Sequence, residues 1–309
     1  MDQLTLTLVQ SNLQWQQADA NREILGELLK SQVNETDLII LPEMFTSAFS
    51  MEGSIAEPWP GDTVEWMQSL TALYDAALCG SIAILDDGKR FNRLVFVTPD
   101  GNVTTYDKRH LFRMYGEDKR YSAGSDRVVV TWRGWRIFPL VCYDLRFPVW
   151  CRNTPELDYD LMIFVANWPA VRNYHWQTLL KARAIENLAY VAGVNRLGKD
   201  GNDIDYVGNS EVISPSGEML LEAGEATGCF SVTINKPELE KYREQFPTHM
   251  DADAFEYFKE NGIFNTVIAD SFRKNILEKG NTEPPMDMYV KFRGKEPDPD
   301  ALLRRDNLI

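Results

Sequence analysis

Apolar and polar residues alternate through LTLTLVQ, residues 4–10, as in a half-buried strand. The next stretch, ANREILGELLKSQV, changes to the spacing of an amphipathic helix, and DLIILPE is a short apolar run closing on Pro42 and Glu43. A second helical pattern, TVEWMQSLTALYDA, leads into the apolar run ALCGSIAIL. RLVFVTPDGNVTTYDK then predicts a hairpin turning at Pro99-Asp100-Gly101, with its second strand ending at Lys108. Beyond a polar loop, YGEDKRYSAGS, two strands RVVVTW and WRIFPLV are joined at Arg133-Gly134, and the second ends at Cys142. LMIFVAN predicts another strand, WQTLLKARAIENLA a helix opened by His175 and Trp176, and YVAGVN a further strand. NSEVISPSGEML and GCFSVTI predict a last strand pair around Pro215-Ser216-Gly217. Strands alternating with helices and hairpins place the chain in the α/β class. From about Asp251 the strand pattern stops: DAFEYFKENGIFNTVIADSFRKNILEKG is helical in spacing and the end is rich in Pro and charge, which puts a boundary near residue 250.

With 309 residues and 44% hydrophobic content the chain can fill a large core. Its net charge of −14 leaves no basic surplus to neutralise phosphates, which argues against a general grip on nucleic acid or an anionic membrane and for a small molecule or a protein as partner. There is no stretch of about 20 apolar residues, the length of a membrane span, and no basic-then-apolar leader, so the sequence reads as cytoplasmic. Cys79, Cys142, Cys151 and Cys229 lie far apart and do not resemble a disulfide scaffold. His110, His175 and His249 include no pair with zinc-helix spacing, and metal catalysis has little support.

Glu43, Lys108 and Cys142 each follow an apolar strand-like run, and the C-terminal ends of strands are where α/β folds assemble sites. Singly, each reads equally as a surface charge or a small buried residue. Together they suit attack on a carbonyl or nitrile carbon: a thiol, a carboxylate to take its proton, and a cation for the oxyanion.

In their local contexts, LPEMF, YDKRHLF and LVCYDLRFP, these residues resemble the three signature segments of the nitrilase superfamily, the carbon–nitrogen hydrolases. The likeness extends over roughly residues 1–250, through NWP, HWQTLLKARAIEN and YVAGVNR, and is nearest to the bacterial omega-amidase branch. It implies a four-layer α-β-β-α sandwich, a homodimer, and no metal or organic cofactor. By the same resemblance Glu43 is general base and acid, Lys108 the oxyanion stabiliser and Cys142 the acylated nucleophile. The N–H of Tyr143 completes the oxyanion hole, and Glu117 matches a second glutamate that orients substrate or water. Without the resemblance, Glu117 reads as a solvated loop charge. The branch implies hydrolysis of the terminal amide of 2-oxoglutaramate or 2-oxosuccinamate. Arg146 and Arg172 are then candidates to pair the substrate carboxylate, and Trp168 and Tyr143 to wall the pocket. Arg146 reads equally as a clamp for the cysteine turn, and Arg183 with Glu186, at i, i+3 spacing, as an ion pair or dimer contact.

Two other readings stay open: an amidase for another amide, such as deaminated glutathione or a carbamoyl compound, and a non-catalytic binding module on the same fold. A nitrilase proper fits the flanks of Cys142 less well. The segments DAFEYFKENGIFN, SFRKNIL and MYVKFRGKEPDPDALLRRDNLI resemble the C-terminus of the zinc oligopeptidases of the thimet type, but the zinc motif of that family is absent, and residues 251–309 are expected to be a non-catalytic extension.

Overall fold

The structure, a computed structural model, describes residues 2–33, 35–246, 265–278 and 285–294. The chain divides into two compact units, Met1–Tyr242 and Arg243–Ile309.

The first unit begins with β1 (Gln3–Gln10), α1 (Ala18–Gln32), β2 (Leu38–Ile40), the short β3 (Glu57–Pro58) and α2 (Asp62–Tyr74). There follow β4 (Ala77–Asp86), β5 (Lys89–Val97) and β6 (Val103–Asp107), and these strands join one sheet in the order β1-β2-β4-β5-β6, with β3 paired to β4. The second sheet holds β7 (Val130–Trp132), β8 (Trp135–Val141), β9 (Leu161–Ala166) and β10 (Tyr190–Asn195), with α3 (Pro148–Cys151) and α4 (Asn173–Asn187) between them. After a small hairpin, β11 (Leu197–Lys199) and β12 (Asp205–Val207), the chain adds β13 (Glu211–Ile213) and β14 (Met219–Glu222) to that sheet. It then returns to the first sheet as β15 (Gly228–Asn235).

The strand period of two explains the layering. Leu38 and Ile40 join the core shared with the second sheet, whereas Ile39 between them joins the cluster under α1 and α2, with Leu25, Leu29 and Met67. On the second sheet β8, β9 and β10 run parallel, and Trp176, Leu180 and Ala184 of α4 pack against them. Strands covered on both faces read as continuous apolar runs, which is why DLIIL and LMIFVA lack alternation. The result is the four-layer α-β-β-α sandwich.

Two strand assignments differ from the sequence expectation. GCFSVTI does not complete the pair at Pro215-Ser216-Gly217; β13 pairs with β14 around that turn, while β15 runs antiparallel to β1 over eight residues. The local pattern of a strand carries no information about which distant edge it completes. RVVVTW forms a strand only over Val130–Trp132.

In the second unit the helix Thr266–Phe272 starts at Asn265, whose side chain accepts from the N–H groups of Val267 and Ile268, and a wider turn, Arg273–Leu277, extends it. A second helix spans Pro285–Arg293, and the rings of Phe272 and Phe292 meet edge-on. The expected helix over DAFEYFKENGIF, the boundary near residue 250 and His249 lie outside the described residues.

One buried acid stands apart from the three reactive residues. Glu211 on β13 is fully buried, held by Gln177 Nε2 at 2.7 Å, with its second carboxylate oxygen unpartnered among the described residues. Burial, with Glu222 directly across the strand pair, pushes its carboxyl up to about 7 from 4.5. Between those two values only the folded protein holds the proton, so stability falls as pH rises through that window and is flat on either side. A Glu211→Gln variant is expected to be more stable than the parent at pH 8, by up to about 3 kcal/mol, with the difference closing at pH 4.5. Thermal melts at the two pH values check this, and equal differences at both would refute it.

Candidate active site

Glu43 follows β2 directly, through Leu41 and Pro42, and is fully buried. Lys108 stands one residue past β6 and Cys142 one residue past β8, so the stacking of the two sheets brings three strand ends together. Cys142 begins a tight helical turn with φ of +43°, a conformation uncommon for a residue with a side chain. Such a strand-to-helix turn presents its first side chain away from the strand's own neighbours.

Lys108 Nζ lies 2.8 Å from Glu43 Oε1 and 3.0 Å from Glu117, and all three side chains are sealed from solvent. Glu117 is therefore not a solvated loop charge: it accepts from Lys108, from Asn92 Nδ2 at 3.1 Å and from the N–H of Phe112 at 2.6 Å. Asn92 Nδ2 also donates to Glu43 Oε1, and Ser81 fixes the orientation of that amide by donating to Asn92 Oδ1 at 2.8 Å. Asn167 holds Glu43 from the other side, through its N–H to Oε2 at 2.8 Å and its Nδ2 to the backbone carbonyl at 2.6 Å. Cys142 Sγ is 3.9 Å from the carbonyl of Asn167.

The electrostatics follow from two carboxylates sharing one ammonium in a dry site. For Lys108, burial opposes the charge but Glu117 and Glu43 outweigh it, and the ammonium is held above its ordinary range. Glu117 is raised, first by burial and then by Glu43, against the pull of Lys108. Burial pushes the Cys142 thiol well up, and the charge of Glu43 adds to this. The resting sulfur is thus a thiol whose proton has to leave during attack.

Above this cluster opens a cleft lined by Lys108, Cys142, Tyr143, Arg146, Trp168 and Arg172 among others. All eight residues singled out in the sequence converge here, four in the cleft wall beside the Glu-Lys-Cys-Glu cluster. The guanidinium of Arg146 sits 4.8 Å over the Trp168 ring and donates to His175 Nδ1 at 3.1 Å. Arg172 donates to the weak acceptor Met114 Sδ at 3.3 Å. Neither arginine has a carboxylate partner among the described residues. Arg183, in contrast, pairs with Glu186 at 2.8 Å and donates to the carbonyl of Leu145.

The model of the carbon–nitrogen hydrolase family matches residues 5–244. The chain belongs to the carbon–nitrogen hydrolases. Within this family it is 49% identical over 257 residues to omega-amidase YafV of Escherichia coli strain K12, across 82% of this chain and 99% of that protein. It is 28% identical over 251 residues to the 2-oxoglutaramate amidase of Bacillus subtilis, across 80% of this chain and 96% of that protein. Among solved structures it resembles XC1258 of Xanthomonas campestris, a CN-hydrolase superfamily protein with an arsenic adduct in the active site: TM-score 0.79, 46% identity, 81% of this chain and 97% of that one. A partial match to peptidase family M3 covers residues 241–308 of this hydrolase. Among the described residues no group of three or more His, Cys, Asp or Glu side chains is arranged to hold a metal ion, and no helix is long and apolar enough to cross a membrane.

Asn92, Ser81 and Asn167 carry no mark in the sequence beyond the NWP segment. Ser81 and Asn92 lie inside strands, where polar residues usually face water, and Asn167 follows β9; only the fold brings all three to Glu43.

Proposed function

We propose that this hydrolase is an omega-amidase, releasing ammonia from the terminal amide of a small 2-oxo dicarboxylic acid such as 2-oxoglutaramate. The observation that carries the reading is the pair of arginines without carboxylate partners, Arg146 and Arg172, in the wall of the cleft that opens on the buried Glu43, Lys108 and Cys142. Relatives described as an omega-amidase and a 2-oxoglutaramate amidase support it.

In this reading Cys142 Sγ attacks the amide carbon as Glu43 takes the thiol proton. The Lys108 ammonium and the N–H of Tyr143 receive the developing oxyanion. Glu43 then protonates the amide nitrogen, ammonia departs, and the acyl group remains on sulfur as a thioester. Water, activated by Glu43 and oriented by Glu117, attacks the thioester and releases the acid and the free thiol. The substrate carboxylate lies against Arg146 and Arg172, between walls formed by Trp168 and Tyr143.

Ammonia release from 2-oxoglutaramate and from butyramide tests this directly. The expected kcat/KM is at least about 100-fold higher for the former, because two charge-assisted bonds, one from each arginine, are worth about 1.5–3 kcal/mol apiece. Arg146→Met is expected to raise KM for 2-oxoglutaramate by about 10- to 100-fold and leave butyramide unchanged; equal kcat/KM for the two amides would overturn the substrate assignment. A metal chelator is expected to have no effect.

The same proposal assigns catalysis to residues 1–250 as a cytoplasmic homodimer and leaves residues 251–309 non-catalytic. A chain ending at residue 258 is expected to keep its kcat/KM within about twofold, and loss of both folding and activity on truncation would refute the assignment.

A further inference from the structure

Asp144, two residues beyond the cysteine, is fully buried yet touches neither the cleft nor the Glu-Lys-Cys-Glu cluster. Its carboxylate accepts four hydrogen bonds. Two donors flank Lys108 closely: Tyr106 OH reaches Oδ2 at 2.8 Å, and the N–H of His110 reaches Oδ1 at 2.9 Å. His110 Nδ1 adds a third at 2.8 Å, and that imidazole is stacked on Phe147 at 3.6 Å. The fourth donor is the N–H of Val141, the residue before the nucleophile, at 3.1 Å from Oδ2.

These bonds link two sheets. Tyr106 lies on β6 at the rim of the first sheet, and Val141 closes β8 in the second. No ladder hydrogen bond joins those strands. Lys108 sits midway between Tyr106 and His110, and Cys142 lies between Val141, directly before it, and Asp144, two residues after it. The positive φ of Cys142 costs free energy, so the turn persists only where surrounding bonds hold it.

We propose that Asp144 is a positioning residue: a buried carboxylate that fixes the nucleophile turn against the lysine segment and so sets the alignment of the Cys142 sulfur with Lys108 and Glu43. The inference rests on the proposed roles of those three residues. A carboxylate suits the task because each oxygen accepts from two donors, whereas an amide would aim its NH₂ at two of them and push one segment away. A displacement of about 1 Å in such an alignment lowers the rate about 100-fold.

The test compares Asp144→Asn and Tyr106→Phe with the parent by kcat, KM and the rate at which iodoacetamide modifies Cys142, a readout that needs no substrate. Asp144→Asn is expected to lose about 100-fold in kcat with KM within threefold, and to react with iodoacetamide at least fivefold more slowly. Tyr106→Phe deletes a single donor and adds none; it is expected to lose about fivefold in kcat with KM unchanged, and it decides the matter if Asp144→Asn does not fold. Melting temperatures that fall while kcat and the iodoacetamide rate stay within twofold of the parent would overturn the proposal and leave Asp144 a purely structural group. Ammonia release that survives Cys142→Ala would instead overturn the catalytic reading, and the iodoacetamide rate would still judge the alignment.

Discussion

Cys142→Ala protein is expected to release no ammonia from 2-oxoglutaramate above background, a loss of at least about 10⁴-fold, while folding as the parent does. The side chain gives up one long contact, 3.9 Å from Sγ to the carbonyl of Asn167. Alanine keeps the β-carbon and the turn, so stability should change by no more than about 1 kcal/mol. Nothing else in the cleft can replace the thiol: Tyr143 is a phenol beside it, and Lys108 is held as an ammonium by two carboxylates. Acid-quenched parent protein incubated with substrate should carry the mass of an acyl group, and the variant should not. Ammonia release by folded Cys142→Ala protein at a tenth of the parent rate would remove the thioester from the mechanism.

Lys108→Met is expected to fail in activity and in stability together. The ammonium is the only cation in contact with Glu43 and Glu117 among the described residues, at 2.8 and 3.0 Å with no exposure to water. Taking it away leaves two carboxylates joined through Asn92 in a dry site, and breaking a buried pair in this way costs about 3–5 kcal/mol. The protein must then protonate one of them, so the deficit should shrink as pH falls. Loss of the oxyanion donor lowers kcat by about 10²- to 10³-fold on its own. Adding Glu117→Gln to Lys108→Met removes the excess negative charge and should restore much of the melting temperature without restoring turnover. If the single variant melts like the parent at pH 8, the three groups do not form a charge-balanced unit; if the double variant regains turnover, Lys108 does not stabilise the oxyanion.

These two experiments address opposite sides of one design. The sulfur contributes chemistry at little cost in stability, whereas the lysine contributes to both because it neutralises the carboxylates that the chemistry requires.

Much of this arrangement was legible in the chain itself. Apolar runs ending at Glu43 and Cys142 mark two strand ends with reactive side chains, since burial on both faces forces continuous hydrophobicity and the first polar residue after it marks the exit, while Lys108 is marked by the hairpin whose second strand it ends. The helices at residues 18–32, 62–74 and 173–187 follow from spacing alone, because a helix chooses its buried face locally. The family signature segments, read as a resemblance, put Glu117 beside this group, although a glutamate in a polar loop has no local reason to be buried.

The tertiary structure decided what depends on distant partners. β15 completes the first sheet against β1, more than 200 positions earlier in the chain, because edge pairing is set by which strand is left open once the sheets stack. Asn92 looks like ordinary strand polarity and Asn167 like a loop residue until strand pairing brings the first, and sheet stacking the second, onto Glu43. Asp144 is one more acid after a cysteine until Tyr106, His110 and Val141 converge on it. The residues that react could be read from sequence because each is placed by its own strand; the residues that hold them could not, because a hydrogen bond between segments far apart in the chain exists only when the fold has brought both into place.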